Sequence, residues 1–92
     1  MTYAIVRHKV EDYDKWKEAF DAALDFRKDA GEKHFLVCTD CDDKNIVTVM
    51  VEWEDLEIAK KFFESDELKE KMKETGVTEE PEIRYVEEQD KG

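Results

Sequence analysis

His8 and His34 are the two side chains in this 92-residue chain with an ordinary pKa suited to proton transfer near neutral pH. His8 follows Ala4 and Val6 at two-residue spacing, so on a strand the three share one face. An imidazole desolvated there beside Trp16 and Trp53 is suited to act as a base. The bland alternative is a partly buried histidine bonded to a backbone carbonyl or a helix end. His34 begins a later strand after a glycine-containing loop and is expected at the surface. Tyr3, Tyr85 and Arg84 carry groups able to orient an oxygenated ligand, although sheet tyrosines at a dimer seam need no ligand to explain them. The candidate set is therefore His8 as catalytic base and Trp16, Trp53, Tyr85, Arg84 and Tyr3 as substrate-binding residues, with core packing as the competing role for both tryptophans.

Cys38-Thr39-Asp40-Cys41 has C-x-x-C spacing, yet on an extended strand its sulfurs point to opposite faces and no second cysteine pair completes a zinc site. Redox pairs of this spacing sit at a helix N-terminus, whereas this one enters a turn. No metal is expected, and the acidic clusters Glu79-Glu80 and Glu87-Glu88 fit a solvated surface rather than a calcium or magnesium loop.

The elements that must position these residues follow from periodicity. Ile46 to Trp53 is the longest β-branched run, and its alternating faces are both largely apolar, which marks a central strand covered on two sides. Tyr3 to Lys9 reads as the first strand. Asp12 is an N-cap for a helix with apolar positions Tyr13, Trp16, Phe20, Ala23, Leu24 and Arg27, which Gly31 ends. His34 to Cys41 reads as a strand joined to the central one through the turn Asp42-Asp43-Lys44-Asn45. Asp55 caps a second helix with Leu56, Ala59, Phe62 and Phe63, and Ser65 caps a further segment with Leu68 and Met72 that is either a bend or a separate helix. Pro81 forbids a continuing helix, and Ile83 to Val86 is a short last strand.

The order strand, helix, strand, strand, helix, strand over residues 1–92 predicts a single α+β domain, a ferredoxin-like βαββαβ sandwich with a four-stranded antiparallel sheet whose central strands are the first and third. Two helices shield one sheet face. The other would present Tyr3, Ile5, Ile46, Met50, Ile83 and Tyr85, a patch that favours homodimerisation sheet to sheet.

Composition narrows the partners. The formal net charge is -11 with 45% of residues charged, so nucleic acid and anionic membrane surfaces would be repelled. The apolar runs are strand-length and no secretion signal is visible, so a cytoplasmic protein with reduced thiols is expected.

The segments His8-Lys9-Val10-Glu11-Asp12-Tyr13-Asp14-Lys15-Trp16, Glu52-Trp53-Glu54-Asp55, Phe63-Glu64-Ser65-Asp66-Glu67-Leu68 and Gly76-Val77, with the Asp42 to Asn45 turn, resemble small stand-alone proteins of the dimeric α+β barrel superfamily, the antibiotic-biosynthesis-monooxygenase-like or cyclase-like group. The resemblance runs from Tyr3 to Glu88. It implies a homodimer and substrate deprotonation that readies an electron-rich species for oxygen or ring closure, with no cofactor. Haem-degrading members also carry a third-strand tryptophan, matched here by Trp53. Their pattern further needs a first-strand asparagine, where this chain has Arg7-His8, and a second-helix histidine, whereas residues 56–75 contain none. The expected function is a cofactor-independent monooxygenase or cyclase acting on a small neutral aromatic or polyketide-like compound. The alternative is a non-catalytic small-ligand-binding or interaction module of the same fold.

Overall fold

A computed structural model describes residues 1–74, 76–77 and 80–92. Glu79 of the first acidic pair lies outside the described residues. In chain order the elements are β1 (Thr2–Lys9), α1 (Tyr13–Ala22), α2 (Leu24–Ala30), β2 (His34–Thr39), β3 (Ile46–Trp53), α3 (Leu56–Phe63), α4 (Asp66–Glu74) and β4 (Glu82–Glu87). The strands form one antiparallel sheet in the order β2-β3-β1-β4. The first and third strands are central, as expected, and the architecture is the ferredoxin-like α+β sandwich with each helical connection divided in two.

Local chemistry sets the element ends. The Asp12 carboxylate accepts from the Asp14 N–H at 2.9 Å, and Asp55 accepts from the Ile58 N–H at 2.9 Å, so each relieves an orphan donor of a first helical turn. Ser65 Oγ accepts from the Leu68 N–H at 3.3 Å and donates to the Phe62 carbonyl at 2.7 Å, which makes α3 and α4 separate helices. Gly31 ends α2 at φ 116°, and a Cβ there would stand 2.9 Å from Ile58 Cγ2, so both conformation and space favour glycine. In the turn before β3, Asp43 accepts from the Asn45 N–H at 2.9 Å, and Asn45 Oδ1 accepts from the Tyr13 N–H at 2.9 Å. That second bond fastens the start of α1 to the sheet and thereby sets where Trp16 lies.

Two expectations change. The helix between Asp12 and Gly31 is interrupted at Ala23, because the Phe20 carbonyl accepts from the Arg27 guanidinium as well as from the Ala23 N–H. A side chain further along the chain thus takes an acceptor of the first helix, and Ala23 leaves the helical conformation at φ -91°, ψ 11°. The second change is the phase of the last strand. Ala4 pairs with Tyr85 and Val6 with Ile83, which puts Ile83 and Tyr85 on the helix side rather than the open face, where Arg84 and Val86 stand instead.

The core lies between helices and sheet. Ala4, Val6, Val47, Val49, Val51 and Trp53 supply the sheet layer, and Trp16, Ala59, Phe62 and Phe63 the helix layer, all buried. Leu56, expected on the buried stripe, is exposed. On the open face Ile5, Ile46 and Met50 are half-buried and Leu36 is 57% exposed. No helix among the described residues is long and apolar enough to cross a membrane.

Candidate functional site

Apolar side chains do not fill all the space between the layers. A cavity of about 90 Å³ remains, walled by β1, β3 and residues of all four helices. It is large enough for several waters, and of the same order as apolar cavities that accept a benzene-sized guest. Trp16, Phe20, Phe26, Phe62 and Met72 give the wall its aromatic and apolar character, and the charged or titratable residues on it are His8, Arg27 and Lys71.

His8 is held on the wall by the pleat of β1. It is 5% exposed and meets the Trp16 ring edge-on at 5.4 Å between centroids. Both ring nitrogens are buried without a hydrogen-bond partner among the described residues. Burial pushes its pKa down to about 4, so the ring is neutral at pH 7 and carries one N–H donor and one lone-pair acceptor, neither satisfied. The expected bland partner, a backbone carbonyl or helix end, is therefore not what holds it. Buried polar atoms of this kind are few in native proteins, and each carries an appreciable desolvation cost.

Arg27 is the wall residue that periodicity placed merely on the apolar stripe of the first helix. Its Nε donates to Glu32 at 2.9 Å, Nη1 donates to the Phe20 carbonyl, and the guanidinium stacks 3.6 Å from the Phe20 ring centroid. Both members of the ion pair are buried. Burial raises the Glu32 pKa, while Arg27 pulls it back down. The available signal was a lone cation on an otherwise apolar stripe, followed five residues later by a carboxylate.

The sequence-predicted residues separate by sheet face. His8 and Trp16 line the cavity. Trp53, fully buried, packs 5.1 Å from Phe62 and 5.8 Å from Phe63, and Tyr85 lies 6.3 Å from Phe63, so these two support the wall from behind. Tyr3 and Arg84 are on the opposite face. The Tyr3 hydroxyl donates to the Glu52 carboxylate at 3.1 Å and its pKa is pushed up to about 12, chiefly by that bond. Arg84 pairs with Glu82 at 2.8 Å. Neither reaches the cavity, because β1 and β4 aim alternate residues away from the helices. His34 is exposed, as are the free thiols Cys38 and Cys41. Among the described residues no three His, Cys, Asp or Glu side chains converge to hold a metal ion.

No protein-family model and no curated protein matches the chain. Solved structures do. A Bordetella bronchiseptica protein provisionally described as an antibiotic biosynthesis monooxygenase superposes with a TM-score of 0.81 at 16% identity over 95% of each chain. The fold is that of the antibiotic biosynthesis monooxygenase-like proteins. SnoaB, a cofactor-independent oxygenase from Streptomyces nogalater, is similar with a TM-score of 0.78 at 12% identity, covering 98% of this chain and 94% of that one. A Nitrosomonas europaea protein provisionally given the same monooxygenase description has a TM-score of 0.71 at 15% identity, covering 96% and 98%. These superpositions, at such low identity, establish the fold expected from the sequence and the fold alone; activity has to be argued from the cavity.

Proposed function

We propose that this protein is a cofactor-independent monooxygenase- or cyclase-like enzyme that takes a small neutral aromatic or polyketide-like compound into the cavity and uses His8 as its base. The observation that carries the proposal is His8 itself: a neutral imidazole with both nitrogens unpaired on the wall of an otherwise largely apolar cavity. A ligand hydroxyl seated there gives the ring the partner it lacks. Proton transfer from that hydroxyl or an adjacent C–H leaves an electron-rich anion in a largely apolar site. In the oxygenase form of the reaction, a ring methylene and dioxygen become a ring carbonyl and water. In the cyclase form, the same anion closes a ring. Trp16 and the phenylalanines provide flat apolar walls, with Trp53 and Tyr85 supporting them.

The assembly we propose is a homodimer joined through the open sheet face, where Ile5, Met50 and Leu36 lie side by side across three strands. Tyr3 and Arg84 then act at the dimer seam. The exposed free thiols fit a reducing, cytoplasmic setting.

A second reading, a non-catalytic ligand-binding module, is favoured by one observation: with its pKa pushed down to about 4 by burial, His8 is a weak base. Dioxygen uptake by the purified protein on a panel of naphthols and naphthohydroquinones, followed alongside binding by tryptophan fluorescence, separates the two. Saturable uptake above the uncatalysed rate is expected. Tight binding without uptake, and without ring-closed product from an acyclic polyketide mimic, would leave the binding module.

A further inference from the structure

Arg27 is not fully accounted for by its place in the fold. Glu32 and the Phe20 carbonyl fix its guanidinium plane, and the Phe20 and Phe35 rings lie 3.6 and 5.3 Å from Cζ. Its remaining terminal nitrogen, Nη2, is buried with no partner among the described residues. A guanidinium presents its donors in a rigid fork, so two N–H groups stay unsatisfied on a residue of the cavity wall. The charges around it are Glu32, Lys28 near that carboxylate, and Lys71, which is exposed with Nζ 4.9 Å from the Phe26 ring. Arg27 is thus the buried cation of the wall, in a chain whose formal net charge of -11 repels anions from outside. A ligand that arrives neutral and ionises inside meets no such barrier.

We propose that Arg27 is a substrate-binding residue whose unpaired terminal nitrogen takes the ionised oxygen of a phenol or enol in the cavity. The proposal rests on reading the cavity as a ligand site, and it names the substrate class as compounds with an acidic hydroxyl. In the step it assists, the ligand O–H bond breaks, the bonding electrons stay on oxygen, and the proton leaves to water. The guanidinium stabilises the phenolate by charge, in a site of low polarity where such pairing is strong.

The test uses 4-nitrophenol, whose neutral and ionised forms differ in absorption, with 4-nitroanisole as the partner that cannot ionise. Bound to the wild type, 4-nitrophenol should ionise at a pH at least about one unit below its value in solution, a tenfold change in the ratio of its forms. The double variant Arg27→Met with Glu32→Gln removes both buried charges together, so no unpaired carboxylate is left behind. It should bind 4-nitroanisole as the wild type does and return the ionisation of 4-nitrophenol to its solution value or above. Glu32→Gln alone, which keeps an acceptor for Nε, should favour the phenolate further. Equal ionisation in wild type and double variant, or an unchanged or opposite effect of Glu32→Gln, overturns the role of Arg27 while bound 4-nitroanisole leaves the cavity reading standing. Failure of the wild type to bind either compound overturns both.

Discussion

At the scale of single residues, the burial of His8 couples the fold to pH. The unfolded chain takes up a proton at this position as the pH falls through 6.5, while the folded chain does so only near 4. In that window the unfolded state binds more protons, so stability falls as the pH falls. From pH 7.5 to 5.5 this one residue should remove about 1.4 kcal/mol. Urea unfolding of the wild type and of His8→Leu at the two pH values reads the difference between them; equal pH dependence would show that the imidazole titrates normally. The caps at Asp12 and Asp55, the glycine at Gly31 and the self-bonding turn before β3 were all legible, since each depends on neighbours within a few residues. The unpaired Nη2 of Arg27 was not. Whether a cation on an apolar stripe reaches water or is enclosed depends on what packs above it, here Phe20 and Phe35.

At the scale of elements, β3 carries the fold because its helix-side residues Val47, Val49, Val51 and Trp53 are all buried. Trp53→Ala should cost about 3–5 kcal/mol, since the ring is fully enclosed and its loss leaves a hole against Phe62 and Phe63. Thermal unfolding checks this, and a loss below about 1 kcal/mol would mean that the helices close over the gap. Gly31→Ala combines a positive φ with a 2.9 Å approach to Ile58, and a loss of about 1–3 kcal/mol is expected by the same measurement; no loss would show that the turn relaxes readily. The phase of β4 and the break at Ala23 have one cause. In β4, six residues long, a one-residue change of phase reverses both faces, and only its pairing with β1 decides between them. Likewise the break at Ala23 comes from a tertiary bond to the Phe20 carbonyl that helical periodicity does not contain.

For the whole molecule, the strand-helix pattern made the sandwich and its strand order legible, while the division of candidate residues between the two faces emerged only with register. The proposed dimer buries the face that carries Ile5, Met50 and Leu36. Met50→Glu should weaken it by several kcal/mol, because an unpaired carboxylate would be enclosed at the seam. Light scattering should give about twice 10.9 kDa for the wild type and 10.9 kDa for the variant at micromolar concentration; a wild-type mass of 10.9 kDa across that range would remove the dimer.

If His8 is kept for chemistry at the expense of stability, His8→Leu should separate the two when unfolding and dioxygen uptake are measured on one preparation. Replacing a buried imidazole without partners by an apolar side chain of similar size should leave stability at pH 7.5 unchanged or raised, because two unsatisfied nitrogens disappear. Turnover should fall by about 10² to 10⁴ with little change in substrate affinity. Lowered stability together with undiminished turnover per folded molecule would make His8 a packing residue.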